Sequence, residues 1–258
     1  MRVLLTRPYL QSIDMTRQLE NMGCGVSIEP VLEIIPIRYQ RHIFKYTRAF
    51  VVTSKHASSQ IANSQDIDKN TPIYAVGPAT AECLKNAGFT NLYIAEGSAE
   101  SLLNLILKMQ KPEDGLVTYF SGWHITQDLA HFLAMKGYDA QRVVCYKAIK
   151  ETELSPLTQA MLQRNEIDCI VLMSSRTANQ FCQLCSAYSL NKSLKSITAI
   201  TMSKQITSII DHLKWEDIRT ATHPSAQSLM SILPNIKRDL SLSKIRKIKF
   251  QRNKERLL

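Results

Sequence analysis

The stretch Ile73–Phe89, IYAVGPATAECLKNAGF, holds a complete strand–turn–helix unit. Ile73–Val76 is a short apolar run of strand type, and Gly77-Pro78 is a turn signal. From Thr80 to Ala87 the apolar residues Ala81, Leu84 and Ala87 share one helical face, and Gly88 closes the helix. A strand that turns sharply into a helix aims the helix's free N–H groups beyond the strand end, where their partial positive charge binds anions. Gly77 lets a ligand approach the backbone, Pro78 suits a first helical turn, and Thr80 adds a hydroxyl. An ordinary βα connection in an α/β protein carries the same features.

The unit recurs. Ile197–Trp215 repeats its plan, and the match is clearest just beyond it, where SAESLLNLI at 98–106 answers SAQSLMSIL at 225–233. Ala49–Ile61, a strand running into Thr53-Ser54-Lys55-His56 and a helix, is echoed by Cys169–Phe181, a strand running into Ser174-Ser175-Arg176-Thr177 and a helix. Residues 1–35 read as strand Val3–Thr6, a loop with Arg7-Pro8, helix Asp14–Met22, Gly23 as cap, and strand Val26–Ile35. Residues 115–149 follow the same order, and an offset of 114 superimposes Val3 on Val117, Leu19 on Leu133 and Gly23 on Gly137. Alternating β and α elements with β-branched strands predict parallel sheets covered on both faces. The expectation is two doubly wound domains arisen by duplication. The long strands expected at 31–38 and 143–150 stand at equivalent points and suit a paired linker between the domains.

The totals agree with a globular chain. It has 258 residues, 45% hydrophobic and 21% charged. The start, MRVLLTRP, is too short in apolar residues for a signal sequence, and no run reaches membrane-spanning length, so the expected location is the cytoplasm. The six cysteines are dispersed. Cys182 and Cys185 have CxxC spacing inside a helical pattern with no second pair nearby, which reads as buried inert thiols. No metal-ligand spacing is present among the six histidines. Of the net charge of +10, +7 lies between Asn235 and Leu258. That basic tail, amphipathic around Leu240, Ile245 and Ile248, reads either as a solvated appendage or as a surface for RNA or acidic membrane. It carries no information about the main body, for which neither nucleic acid nor membrane is an expected partner.

Ligands of doubly wound sheets sit beyond the carboxyl ends of the strands. The segments expected there are Thr6-Arg7-Pro8, Thr53-Ser54-Lys55-His56, Gly77-Pro78-Ala79-Thr80, Ser121-Gly122-Trp123-His124, Ser174-Ser175-Arg176-Thr177 and Thr201-Met202-Ser203-Lys204. They are rich in hydroxyls and cations and poor in carboxylates. Facing one another across a cleft, they would suit a polyanion held by N–H groups, hydroxyls and a few cations. No Ser/His/Asp set, no carboxylate pair, no GxGxxG after a strand and no P-loop is present.

The succession LLTRP (4–8), EPVLEI (29–34), TSKHA (53–57), AVGPATA (75–81), a Gly-ended strand before the helix that closes on Gly137, VVCY (143–146) and the S-x-x-x-A loop beginning at Ser174 resembles the uroporphyrinogen-III synthase family. The resemblance runs from about Val3 to Leu233. It implies two flavodoxin-like domains joined by a two-stranded linker, the chain crossing over and returning. The domains would be 1–35 plus 150–235 and 36–149, with 236–258 as the tail. It further implies that the substrate is hydroxymethylbilane, a linear tetrapyrrole with eight carboxylates, closed with inversion of its last ring and loss of water, with no cofactor or metal. Nothing in the sequence demands more than a monomer. A non-catalytic two-domain protein for small anionic ligands is the alternative.

The family's proton-donor tyrosine corresponds to Tyr146. An aromatic packed at the linker would look the same. Ser54, Thr80, Ser174 and Ser203 match hydroxyl positions expected to bind acetate and propionate, though helix capping accounts for each equally well. Gly77, Ser121, Gly122 and Ser175 complete the expected binding loops. Arg7, Lys55 and Arg176 are the candidate cations, or simply surface charges. Two places depart from the family pattern: Thr201-Met202-Ser203-Lys204 replaces a Gly-containing turn, and Trp123-His124 stands where an Arg is often found.

Overall fold

Four-residue runs such as Ala49–Val52 (AFVV) and Cys169–Leu172 (CIVL) are buried at every position. Strands of this kind have to be covered on both faces, which a parallel sheet between helices provides. The computed structural model describes residues 1–240, and their strands form two sheets.

The chain divides into two compact units, one made of Met1–Glu33 with the chain from Lys150 onward, the other of Ile34–Ile149. The first unit opens with β1 (Arg2–Leu5), α1 (Tyr9–Asn21) and β2 (Gly25–Ile28). β3 (Leu32–Pro36) carries the chain into the second unit. There follow β4 (Ala49–Val52), α2 (Lys55–Ala62), β5 (Ile73–Ala75), α3 (Pro78–Asn86), β6 (Leu92–Ile94) and α4 (Ala99–Met109). The second unit closes with β7 (Val117–Gly122), α5 (Leu129–Met135) and β8 (Ala140–Lys150). Back in the first unit come α6 (Pro156–Gln163), β9 (Cys169–Leu172), α7 (Ser175–Ala187), β10 (Thr198–Thr201), α8 (Lys204–Ile210), β11 (Asp217–Thr220) and α9 (Ala226–Met230).

The sheet of the first unit has the order β11-β10-β9-β1-β2, and the other has β3-β8-β7-β4-β5-β6. Matched through the internal repeat, both contain the flavodoxin-like order 2-1-3-4-5, the second unit reaching it with its last three strands made first. Strand pairing confirms the offset of 114. Leu5 faces Ile28 in one sheet as Tyr119 faces Arg142 in the other. The caps match as well, since Gly23 and Gly137 take φ values of 72° and 87°, which a side chain would resist. Side-chain alternation divides each sheet between two cores. In the first unit Leu4, Ile170 and Leu172 serve one core, while Val3, Leu5 and Val171 serve the other.

Three expectations are corrected. The single strand expected over Val26–Ile35 is two strands, β2 and β3, in different sheets. The break falls at Glu29-Pro30. Glu29 is buried, and its carboxylate accepts from the Ser155 N–H (2.8 Å), the Ser155 hydroxyl (2.6 Å) and the Thr158 hydroxyl (2.5 Å), so it anchors the start of α6. Glu29→Ala leaves those donors without an acceptor and is expected to cost about 2 kcal/mol. Urea denaturation measures this, and an unshifted midpoint would show that water replaces the carboxylate. Second, α1 begins at Tyr9 rather than Asp14, with Pro8 in the N-cap position and Tyr9 and Leu10 exposed. Third, the first unit does not end at residue 235. Residues 233–240 are helical, Ile236 is buried with Val3 and Leu5, Lys237 Nζ donates to the Met22 carbonyl, and Asp239 pairs with Arg219 at 2.8 Å. Leu240 packs against the same core. Ile245, Ile248 and the remainder of the basic tail, 241–258, lie outside the described residues.

Burial raises the thiols of Cys145 and Cys169 to about 12 and that of Cys182 to about 11, as expected of packing cysteines. Among the described residues no helix is long and apolar enough to cross a membrane. No group of three or more His, Cys, Asp or Glu side chains among them is placed to hold a metal ion.

Candidate functional site

All strands of the first unit's sheet run parallel, as do β4 to β8 in the other, so each unit gathers its βα loops along one edge. In the order 2-1-3-4-5 the crevice opens between strands 1 and 3, which in the second unit are β7 and β4. A cavity of ≈ 330 Å³ lies there, its lining including Thr53, Ser54, Gly97, Tyr119, Gln127 and Tyr146.

Tyr146 comes to this cavity through an irregularity in β8. Ser121 pairs with Val144 and Gly122 with Tyr146, so Cys145 is an extra residue on β8. Such a bulge turns the neighbouring side chain away from its regular direction. The Tyr146 ring lies against Gly122, where a Cβ would come within 2.6 Å of its Cζ. The His56 ring is 5.2 Å away, centroid to centroid, tilted by 50°. Tyr119 shares a 3.0 Å hydrogen bond with the Thr53 hydroxyl. Burial raises the Tyr119 phenol above its ordinary value, against the opposing pull of Thr53 and Arg142.

The expected hydroxyls divide into caps and core residues. Ser54, Ser174 and Ser203 are the N-caps of α2, α7 and α8, each accepting from a backbone N–H one turn on. A capping oxygen keeps its own O–H for another partner, and Ser174 shares a 2.8 Å bond with Thr177. Thr80 is not a cap. Gly77 occupies the N-cap of α3, and Thr80 is buried in the first turn, away from the cavity lining. Gly77 has an extended backbone with φ −175°, and a Cβ there would meet Gly97 only at ordinary contact distance, so its backbone is one any residue can adopt.

Ser121 is buried, and its hydroxyl accepts from Arg142 Nε at 2.8 Å. Gly122 is buried under the Tyr146 ring. Lys55 is exposed on the first turn of α2, and Ser175 and Arg176 are half-buried on the first turn of α7. Arg7 is half-buried, donates to Gln11 at 2.7 Å, and burial lowers its pKa.

Sequence reasoning passed over Tyr119, Gly97 and Arg142. A cation near the start of β8, next to Val143-Val144, was the available signal for Arg142, since it has to find acceptors there. Comparison of the two units sharpens the point. Where the second unit has Tyr119, Arg142 and Thr53, the strand pairing of the first unit gives Leu5, Ile28 and Met173. The cavity lined by Thr53 and Tyr119 lies in the second unit.

This fold and this crevice define a doubly wound α/β protein with a hydroxyl-bearing cavity beyond the strand ends of its second unit and no dinucleotide fingerprint. The family model described as Uroporphyrinogen-III synthase HemD matches residues 13–231, and the chain belongs to that family. The crystal structure of uroporphyrinogen-III synthetase from Helicobacter pylori superimposes with a TM-score of 0.63 at 17% identity, covering 92% of this chain and 100% of that one. A mutant uroporphyrinogen III synthase from Thermus thermophilus gives 0.55 at 18% identity, covering 93% of this chain and 99% of that one. At such identities the likeness speaks for the fold. No curated protein sequence matches the chain. Its activity is that of a uroporphyrinogen-III synthase, a hydro-lyase of tetrapyrrole biosynthesis.

Proposed function

We propose that Tyr146 donates the proton that starts ring closure, and that the strand-end hydroxyls and amides hold the acetate and propionate groups of hydroxymethylbilane. The reading is supported above all by the seat of Tyr146, whose ring rests on Gly122 and lines the cavity beside Thr53 and Ser54. In this mechanism the phenol proton passes to the hydroxymethyl oxygen, the C–O bond breaks, and water leaves as the pyrrole nitrogen's lone pair forms the azafulvene. The already substituted carbon of the last ring attacks that centre. The spiro intermediate then fragments and recloses through the free α-carbon of the inverted last ring, which loses its proton as the phenolate regains one. Each step moves protons and electron pairs already present in substrate and protein, so no cofactor or metal is invoked. The protein's share is orientation and a placed acid.

The α2 N-terminus, capped by Ser54, supplies a positive field to the phenolate that remains. Ser54, Gly77 and Lys55 in the second unit, and Arg7, Ser174, Ser175, Arg176 and Ser203 in the first, are the proposed carboxylate partners. Ser121 and Gly122 shape the seat of the tyrosine instead, and Thr80 packs α3. The enzyme is further proposed to be a cytoplasmic monomer.

Tyr146→Phe keeps the ring and removes the acid. With enzymatically generated hydroxymethylbilane it is expected to close the ring about tenfold more slowly at an unchanged melting temperature. Product is expected to shift toward the type I isomer as spontaneous closure competes. An unchanged rate would remove Tyr146 from the mechanism.

A further inference from the structure

Arg142 lies in β8 opposite Tyr119, with 24% of its side chain exposed. A guanidinium so placed requires acceptors, and it has three. Nε donates to the Ser121 hydroxyl, and Nη2 donates to the carbonyls of Gly122 and Trp123, each at 2.8 Å. Nη1 is 3.9 Å from Asp128, which caps α5 by accepting from the N–H groups of Ala130 and His131. Every one of these partners lies at the end of β7 or in the turn leading to α5. The same segment seats Tyr146. Gly122 provides the surface under its ring, and the Trp123 N–H donates to the Tyr146 carbonyl at 2.8 Å, closing the irregular pairing around Cys145.

We propose that Arg142 is a positioning residue for the synthase reaction, clamping the Ser121–Trp123 turn so that the Tyr146 phenol is held at one place in the cavity. The proposal rests on Tyr146 being the proton donor. Only a planar guanidinium offers donors in the fork that three neighbouring acceptors need, whereas a lysine supplies a single point of charge. The first unit, in which no proton donor is proposed, has Ile28 at the position equivalent to Arg142.

The test places Arg142→Met and Arg142→Lys in the unmodified chain and in the Tyr146→Phe chain, measuring kcat, KM and melting temperature with hydroxymethylbilane. Arg142→Met is expected to lower kcat about tenfold with little change in KM, and Arg142→Lys to recover only part of the loss. In the Tyr146→Phe chain neither should lower kcat further, because the arginine acts through the phenol. An equal loss in both backgrounds overturns the clamp, as does an unaltered kcat for Arg142→Met beside a slow Tyr146→Phe. An unaltered kcat for Tyr146→Phe overturns the proton-donor reading, and the clamp with it. If Arg142→Met does not fold, Ser121→Ala removes one acceptor at little cost in volume. It should lower kcat only where Tyr146 is present, and no loss there overturns the proposal.

Discussion

Phe120→Ala is expected to destabilise the protein by about 4 kcal/mol. Phe120 is fully buried in β7, the strand that also presents Ser121 and Gly122. Its ring centroid is 5.0 Å from that of Tyr39 and 5.7 Å from those of Phe44 and Phe50, so it stands at the centre of an aromatic cluster. Truncation removes the apolar area of one ring and also three edge or tilted ring contacts, each worth about 1 kcal/mol beyond burial. The neighbours cannot collapse to compensate. Phe50 is held in a central strand, and Tyr39 and Phe44 belong to the segment that leads into it. Denaturation in urea should show a lower midpoint with an unchanged slope. A loss below about 1 kcal/mol would mean that the cluster repacks around the void.

Much of the sheet framework is legible in the sequence because it is encoded locally. AFVV and CIVL are unbroken apolar runs, as strands buried on both faces must be, and the glycines that close α1 and α5 stand at matched places in the two halves. The division at Glu29-Pro30 is not encoded that way. Apolar residues continue through Val31–Ile35, and the groups that bury the Glu29 carboxylate, Ser155 and Thr158, lie more than a hundred residues further along. Tyr9 and Leu10 hide the start of α1 for a related reason, since exposed apolar residues blur the helical stripe on which the reading depends.

The cavity was legible in part. Ser54 and Tyr146 belong to segments recognisable from their order along the chain, and both line it. A hydroxyl near the start of a helix suggests a cap, but the cap of α3 is Gly77, three residues before Thr80. Tyr119 and Arg142 are hidden because they lie within strands, where alternation assigns them to a core. Their meaning appears only when the two sheets are set side by side. The two units share a frame, and at matched places the first has Leu5 and Ile28 where the second has Tyr119 and Arg142. In the second unit Tyr119 and Thr53 line the cavity, while Arg142 binds the Ser121–Trp123 turn beside it. The internal repeat is thus clear in the frame and its helix caps and faint among the residues proposed to do chemistry.

Gly122→Ala is expected to reduce turnover about a hundredfold while leaving the fold nearly intact. The added Cβ would stand 2.6 Å from Cζ of Tyr146 and 2.8 Å from its Cε2 and hydroxyl oxygen, closer than nonbonded carbon atoms approach. The backbone does not resist a side chain at this position, because Gly122 is not among the glycines with positive φ. Relief must therefore come from Tyr146. The obstructed atoms are at the far end of its ring, so a rotation about χ1 removes the clash for about 1 kcal/mol. For stability that is a small effect. For catalysis the displaced atoms include the proposed acid, whose misplacement accounts for up to the roughly tenfold loss of Tyr146→Phe, and the remainder comes from the swung ring disturbing the bound substrate. The loss should exceed that of Tyr146→Phe, since a swung ring also intrudes on a cavity of only ≈ 330 Å³. KM should then rise as kcat falls, a pattern not expected of Tyr146→Phe, while the melting temperature stays close to that of the unmodified protein. Full turnover in a folded Gly122→Ala protein would show that the phenol need not occupy the place the glycine leaves for it.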